Sequence, residues 1–313
     1  MIFITFHGGS TGVSNIFAYS DDGKIINAKI LSNADNLLHN AKLRDMIFCN
    51  GYLYVANGRR RKSQILRFKG KGLHYDFDAI YTSHDEINSI DHPFAMTFDK
   101  ESGYCFISNQ DSNVVVRLIL DSGKPAPLPR GLPSGKKFLP GTFVASSQKN
   151  LPGVQKTKSI HTHQGLKLDI RNNIIYHSVR SVLLHKELLY VCDEQAGLVK
   201  TYNKEGSLIN KSNNLKKPTH LIIYKELLYV SCRNSIQAAS LNKPALFFKP
   251  VKGSVENISG MTVNSDKCYF YAANRKKREI YRYNVNSENF TNTEIVIKNM
   301  PDDPEFLLYI KDL

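Results

Sequence analysis

The chain has 313 residues, 42% of them hydrophobic, and a formal charge of +14 from 42 Lys and Arg against 28 Asp and Glu residues. This length is enough for a sizeable core, and propellers can exceed two hundred residues as one domain. The absence of Trp excludes repeats built on a Trp-Asp dipeptide. The charge favours an anionic partner, although a Lys-rich surface can also serve solubility alone.

The cysteines and the lengths of the apolar runs indicate the cellular compartment. The five Cys residues are an odd number and form no CxxC pair, so we expect neither a disulfide framework nor a cysteine metal site. No apolar run is long enough to cross a membrane, and the apolar start 1–6 is short and is followed at once by Gly8 and Gly9. We therefore expect a cytoplasmic monomer without membrane insertion.

The first thirty-one residues predict three strands, at 2–6, 15–19 and 24–31, with Asp22-Gly23 as the turn between the last two. This block lacks the leading apolar strand that the later units have. The apolar segment 305–310 at the other end of the chain can supply it. A C-terminal strand that completes the N-terminal blade would close a ring and remove two exposed sheet edges.

The next units are regular until residue 120. The second unit starts at Leu43, turns at Asn50-Gly51, and continues through strands at 52–56, 64–68 and 77–81. The third unit starts at Pro93 and includes the strongly β-prone segment 113–120. Residues 121–164 then form an irregular insertion rich in Pro, Gly and Lys, and Pro at that density excludes central strands. We expect the fourth strand of this unit late, at 165–170.

An exact repeat fixes the architecture of the second half. Lys186-Glu-Leu-Leu-Tyr-Val191 recurs as Lys225-Glu-Leu-Leu-Tyr-Val230, each copy preceded by an apolar run and followed by a polar cluster. A period near forty residues in an all-strand pattern is typical of a propeller blade. We therefore predict an all-β fold, one propeller domain over 1–313 with four-stranded antiparallel blades. Six blades are favoured, and seven are the alternative, because strands average five or six residues and the insertion leaves little room for another blade.

Several blades resemble a known repeat. The segment 189–206, with Tyr190-Val-Cys-Asp193 followed later by an aromatic residue and Glu205-Gly206, is similar to the NHL repeat, and the segments 54–57 and 106–113 resemble blades of NHL or YVTN-type propellers. This resemblance implies the fold and, for NHL propellers, a binding face at the channel mouth that can bind RNA. It supports fold far more than function.

Two basic clusters define the predicted binding face. In blades of this kind, the loop from the second to the third strand lies at the channel mouth, and two such loops flank the small loop of the first blade. Together they contribute the predicted anion contacts Arg59, Arg60, Arg61, Lys62, Ser10, Thr11, Arg275, Lys276, Lys277 and Arg278. Guanidinium forks and free backbone N–H groups suit phosphate or another polyanion. The face would be mildly acidic across the ring, at Asp111 and at Asp193-Glu194.

The leading hypothesis is a scaffold that binds RNA, a phosphate-bearing ligand or an acidic molecule or protein, without a cofactor. The alternative is a metal-dependent lactonase, another hydrolase or a lyase, as the resemblance to propeller lactonases and to lyases of the streptogramin type implies. It would use a Ca²⁺ or Mg²⁺ ion at the channel mouth to polarise a carbonyl or activate water. The candidate ligands by position are Glu305, Asn57, Asn109, Asp193, His92 and His220. The sequence leaves open whether the chain is an enzyme.

Overall fold

The chain forms six four-stranded antiparallel blades arranged in a ring, a six-bladed β-propeller, as the sequence predicts. The computed structural model describes residues 1–8, 12–59, 62–130, 138–145, 159–161, 167–169, 174–175, 178–286 and 289–311. Within these residues the one helix, α1 (Asp35–Leu38), has four residues. No helix of the described chain is long and apolar enough to cross a membrane.

The strands follow one another around the ring in chain order. The first blade begins with β1 (Ile2–Phe6), β2 (Phe17–Tyr19) and β3 (Ile25–Asn27). The second contains β4 (Leu31–Ser32), β5 (Leu43–Cys49), β6 (Tyr52–Asn57), β7 (Gln64–Lys71) and β8 (His74–Ser83), where the short β4 adds a parallel fifth strand at the edge. The third consists of β9 (Pro93–Asp99), β10 (Tyr104–Asn109), β11 (Val114–Ile119) and β12 (Thr142–Ala145).

A separate three-stranded sheet follows, formed by β13 (Ser159–His161), β14 (Lys167–Asp169) and β15 (Ile174–Ile175). The fourth blade consists of β16 (Val179–His185), β17 (Leu188–Asp193), β18 (Leu198–Asn203) and β19 (Leu208–Lys211). The fifth consists of β20 (Leu221–Tyr224), β21 (Leu227–Ser231), β22 (Ile236–Ser240) and β23 (Lys249–Pro250). The sixth consists of β24 (Ile258–Asn264), β25 (Tyr269–Asn274), β26 (Glu279–Asn286) and β27 (Asn289–Ile297), and β28 (Pro304–Tyr309) ends the chain.

The outer strand of the third blade corrects one prediction. We expected it at 165–170, but β12 pairs with β11 at Val115↔Val144, and β14 belongs to the separate small sheet. The chain can reach β12 because Gly141, at φ +71°, turns beside β11, where a Cβ would lie 2.9 Å from a methyl of Val116. The Pro-rich segment therefore precedes the fourth strand rather than replacing it.

Closure of the ring follows the sequence prediction. Strand β28 pairs antiparallel with β1, with Ile2 opposite Tyr309 and Ile4 opposite Leu307, so the C-terminal strand becomes the inner strand of the first blade. The ammonium group of Met1 also donates to the carbonyl of Ile310 at 3.2 Å. Pairing of the two ends removes the open edges that a linear array of blades would expose.

The core lies between the blades. The described residues form six apolar clusters, each of which joins two neighbouring blades around the ring, and the cluster between the third and fourth blades also includes Phe306 of the first blade. Four of the five thiols are buried in this core, Cys268 is half-buried, and all five are free. Burial between sheets raises the pKa of Cys105 and of Cys232 to about 12, so these thiols are protonated packing groups.

Candidate functional site

A β-bulge at the start of the inner strands shapes the channel mouth. In the second blade, Leu43 lies opposite Asn57 and Met46 opposite Val55, so three steps along β5 match two steps along β6. The same irregularity occurs at the start of β9, β16, β24 and β28. A bulge bends the strand and redirects the side chain of the extra residue. It therefore determines which side chains of these five blades reach the mouth.

The second residues of the bulged strands gather at this mouth. They are Arg44, Phe94, Arg180, Ser259 and Glu305. All of them except Arg44 line a cleft of about 440 Å³, and Arg44 is buried at 1% exposure. The cleft is also bordered by Ile258, the first residue of β24, and by loop residues of the fourth, fifth, sixth and first blades: Glu194, Lys217, Thr219, Arg233, Asn257, Arg275, Lys276 and Asp303.

Glu305 is the buried acid of the cleft, with 4% exposure. Its Oε2 lies 3.4 Å from Arg275 Nη1 and 3.4 Å from His7 Nδ1, but neither approach has the alignment of a hydrogen bond. Burial alone would raise the pKa of Glu305, yet the charges of Arg44 and Arg275 and the imidazole of His7 outweigh it and hold this pKa well below its usual range. Glu305 is therefore an ionised carboxylate in the wall of the cleft.

Arg44 provides a buried positive charge beside that carboxylate. Its Nη1 donates to the carbonyl of His7 at 3.3 Å, which ties the second blade to the first. Burial and the charges of Arg275 and Arg180 lower the pKa of Arg44 to about 10, although the charges of Glu305 and Asp111 oppose them. An anion that enters between these guanidinium groups would reduce the repulsion between them.

Arg180 is held in place by groups of two blades. Its Nε and Nη2 both lie 2.8 Å from Glu194 Oε2, its Nη1 donates to Gln110 Oε1, and its guanidinium lies 4.9 Å from the ring centre of Phe94. Each terminal nitrogen of this guanidinium thus has a partner in the protein. Arg180 is therefore a fixed part of the cleft wall, and its nitrogens are not left without partners for a ligand.

Aromatic rings close the channel below the cleft. Phe306 projects from β28 and lies 5.1 Å from Phe94 and 5.0 Å from His220, measured between ring centres. His220 is buried, its Nδ1 has no hydrogen-bond partner among the described residues, and burial lowers its pKa to about 4. His220 is therefore a neutral ring in an apolar floor.

The described residues of the two predicted basic loops line two separate recesses. Arg275 and Lys276 line the central cleft, Arg278 Nε lies 3.0 Å from Asp303 Oδ1, and Lys277 Nζ lies 3.5 Å from the hydroxyl of Tyr281. The other loop borders a separate recess of about 180 Å³, where Arg59 Nη1 donates to the carbonyl of His39 at 2.8 Å and Lys62 is exposed. Ser10, Thr11, Arg60 and Arg61 lie outside the described residues.

The opposite side of the ring is less acidic than we expected. Glu194 is neutralised by Arg180, and the fourth and fifth blades contribute Arg180, Lys217 and Arg233 to the same cleft. These cations and Arg44 were not predicted from the sequence. Arg233 stands in the polar cluster after the second copy of the repeat, and Lys217 stands four residues before β20, which begins at Leu221. Position in the repeat was therefore the only available signal.

The predicted metal ligands are dispersed. Asn57 Oδ1 accepts from the backbone N–H of Lys42 at 3.0 Å, Asn109 Oδ1 accepts from the N–H of Asp91 at 3.1 Å, and Asp193 Oδ2 lies 2.7 Å from Lys200 Nζ. Each of these oxygens therefore binds a group of its own blade. Glu305 and His220 lie at the channel, and His92 lies between the second and third blades. Among the described residues, no three His, Cys, Asp or Glu side chains converge as a metal site would require.

Comparison with known proteins supports the fold alone. No family model matches the chain, and no curated protein matches it. A solved nidogen/laminin complex contains a chain with TM-score 0.60 and 10% identity, covering 98% of this chain and 96% of that one. A periplasmic gluconolactonase from Pseudomonas aeruginosa has TM-score 0.54 and 12% identity, covering 94% and 82%. A candidate 6-phosphogluconolactonase from Bacteroides uniformis has TM-score 0.53 and 11% identity, covering 94% and 80%. The chain is thus similar to propellers of diverse kinds, and its NHL resemblance stays at the level of the repeat pattern.

Proposed function

We propose that the central cleft binds a small organic anion. The observation that carries this proposal is the composition of the cleft wall, where five cationic side chains face three carboxylates. A cleft of about 440 Å³ falls within the range of small-molecule sites, which extends from about 300 to 1,000 Å³. The buried charge of Arg44 beside the cleft adds to the positive potential.

Two of the five cations of the cleft already form ion pairs. Glu194 pairs with Arg180, and Asp303 and Glu305 lie 3.6 and 3.4 Å from nitrogens of Arg275. Three further cations line the rim from the fifth and sixth blades and are exposed: Lys217, Arg233 and Lys276. None of these three forms an ion pair with a carboxylate of the described chain, so they are the contacts that remain for an incoming anion.

The described residues of the two basic loops line separate recesses, and this arrangement favours a small ligand over RNA. Nonspecific single-strand binding uses a continuous basic groove with exposed aromatic platforms. The recess at Arg59 and Lys62 shares no lining residue with the central cleft. The aromatic ring that lines the cleft, Phe94, is covered by Arg180 and is 2% exposed. RNA binding is therefore an outcome to be tested rather than the proposal itself.

Charge reversal at matched sites tests the proposal. The triple variant Lys217→Glu, Arg233→Glu, Lys276→Glu changes the rim of the cleft. The control variant Lys243→Glu, Lys249→Glu, Lys252→Glu makes the same charge change at exposed positions along another groove of the fifth blade. We expect calorimetric titration with citrate to give saturable binding that weakens with salt, is lost in the rim variant and persists in the control. Equal loss in both variants, or no saturable binding by the unaltered protein, would refute the proposal.

The second basic loop supplies a further control. Arg59→Glu with Lys62→Glu should leave citrate binding unchanged, because these side chains border a different recess. A homopolymeric single-stranded RNA serves as the second probe for the same variants. If the Arg59 and Lys62 variant alone abolishes RNA retention and citrate binding is absent, the wider basic-face hypothesis replaces the cleft hypothesis.

A lactonase reaction is the second candidate, because two lactonase propellers share the fold. The cleft residues do not fit a divalent cation well, since the carboxylate of Glu305 already lies beside Arg275 and is influenced by Arg44. A cation at this point would be repelled by both guanidinium groups. Lactone hydrolysis measured with and without Ca²⁺ or Mg²⁺ tests this candidate, and metal-dependent turnover that disappears in Glu305→Gln would favour it over simple binding.

A further inference from the structure

We propose that the anion bound in the cleft also carries a hydroxyl group, which donates a hydrogen bond to the carboxylate of Glu305. This inference rests on the proposed function and specifies its ligand. The class is a small hydroxylated carboxylate or phosphate, with the hydroxyl a few bonds from the charged group.

Glu305 has incomplete hydrogen bonding at one carboxylate oxygen. Both ion contacts of this side chain use Oε2, at 3.4 Å, and no group of the described residues donates an aligned hydrogen bond to that oxygen. Glu305 is 4% exposed and lines the cleft. A buried carboxylate normally has its acceptor positions occupied, and leaving them unsatisfied is costly. The cleft is the side from which a donor can approach.

The charges around Glu305 determine which charge that donor can carry. Arg44 and Arg275 keep Glu305 ionised, so the carboxylate can only accept. A ligand ammonium would be attracted by Glu305 but repelled by the two guanidinium groups next to it. A hydroxyl group donates without adding positive charge. A neutral donor therefore fits this position better than a cation.

The spacing of Glu305 and the nearby cations limits the distance between the hydroxyl and the charged group of the ligand. Arg275 Nη1 lies 3.4 Å from Glu305 Oε2, and the next residue, Lys276, is exposed on the rim of the same cleft. Glu305 of the first blade thus lies next to Arg275 and Lys276 of the sixth blade, where the two blades meet. A ligand that contacts both needs its hydroxyl close to its charged group.

Matched pairs of ligands test this inference directly. Lactate is compared with propionate, and glycerol 3-phosphate with propyl phosphate, because the members of each pair share the charge and differ in hydroxyl groups. We expect the hydroxylated member to bind about tenfold more tightly or better, as for a hydrogen bond to a charged group. The two pairs also distinguish a carboxylate ligand from a phosphate ligand. Dissociation constants come from saturation-transfer NMR or calorimetry.

Two variants locate the effect. Glu305→Gln should reduce the preference for the hydroxylated member to less than about threefold, while binding of propionate or propyl phosphate persists. Glu187→Gln removes a carboxylate that lies outside the cleft, 73% exposed and 3.0 Å from Lys204 Nζ, and should leave the preference unchanged. Thermal unfolding is recorded for both variants, and the ligand pairs on the unaltered protein decide the question if Glu305→Gln does not fold.

The outcomes separate the two proposals. Equal binding of hydroxylated and deoxy ligands by the unaltered protein overturns the present inference and leaves anion binding intact. A preference that survives in Glu305→Gln also overturns it. Absence of saturable binding for all four ligands and for citrate overturns the proposed function, and the present inference with it.

Discussion

Arg44 Nη2 lies 3.4 Å from His92 Nε2, and this contact joins the second blade to the third. Because a guanidinium only donates hydrogen bonds, Nε2 must be the unprotonated nitrogen of His92. The proton of the neutral ring is then on Nδ1, which lies 3.5 Å from Asp111 Oδ2. Burial and the charge of Arg44 lower the pKa of His92, while Asp111 opposes them. The imidazole thus connects a buried cation to an anion in one orientation.

Gly58→Ala tests the space that this imidazole needs. A Cβ at residue 58 would lie 2.7 Å from His92 Cδ2 and 3.1 Å from Nε2, so the ring must move away from Arg44. We expect Gly58→Ala to lower the free energy of unfolding by about 1–3 kcal/mol, as for overpacking in a core. In the background of His92→Ala the same change should cost less than about 1 kcal/mol, because the obstructing ring is absent. Urea denaturation of the four proteins of this cycle measures the difference, and equal costs in both backgrounds would contradict it.

Gly260→Ala tests a closer approach, between the sixth and first blades. Here a Cβ would lie 2.5 Å from the carbonyl oxygen of Glu305 and 2.7 Å from the Cα of Phe306. Backbone atoms of a paired strand cannot rotate away as a side chain can. We therefore expect Gly260→Ala to lower the free energy of unfolding by about 3 kcal/mol or more, a larger loss than at Gly58. We also expect it to weaken the packing of β28, the strand that closes the ring. Urea unfolding together with amide exchange of β28 measures both effects, and a stability within about 0.5 kcal/mol of the unaltered protein would show that the seam can adjust.

The regular parts of this fold were readable from the sequence because they depend on local rules. The strands within the two copies of the hexapeptide start at Leu188 and Leu227, directly after the Lys-Glu pair, as the repeat predicts. In the second copy the Lys-Glu pair is the two-residue hairpin turn, with Lys225 at φ +47° and Glu226 at φ +57°. Turn chemistry and alternation act within a few residues, so one sequence is enough to recognise them.

The cleft was less predictable because its geometry depends on distant parts of the chain. Arg44 and Arg180 stand inside apolar strands, and only the bulges determine that they reach the channel mouth. Arg180 also depends on Gln110, which is 70 residues away in the chain. Such a pairing leaves no local pattern in a sequence. The charged loops were visible, but their separation into two recesses follows from the positions of the blades around the ring.

The buried ring of His220 predicts a specific loss of stability in acid. The pKa of His220 in the folded protein is about 4, below the usual 6.5, so the folded state binds fewer protons than the unfolded state between these values. Stability from the neutral ring is therefore complete above pH 6.5 and is lost as the pH falls towards 4. His220→Phe keeps an aromatic ring against Phe306 and removes the titration. Between pH 7 and pH 4 the variant should lose about 3 kcal/mol less than the unaltered protein.

Urea unfolding at several pH values measures this difference. His7 and His92 also have pKa values lowered by burial, and they contribute to acid sensitivity in both proteins equally. The comparison with His220→Phe therefore isolates a single group. Parallel stability curves for the two proteins from pH 7 to pH 4 would mean that His220 accepts its proton in the folded state without cost.

Phe306→Ala tests whether the aromatic floor holds the ring together. Phe306 is 1% exposed, extends from the first blade, and contacts rings of the third blade and of residue 220, so its side chain bridges blades that are not neighbours in the ring. Removing it leaves a cavity between Phe94 and His220, and we expect a loss of about 3–5 kcal/mol in the free energy of unfolding. Phe247→Ala is the matched control, because that ring is 61% exposed and should change stability by less than about 0.5 kcal/mol. Urea denaturation compares the two variants. If Phe306→Ala costs no more than Phe247→Ala, the floor does not stabilise the ring, and the stability of the propeller resides in the seams between adjacent blades.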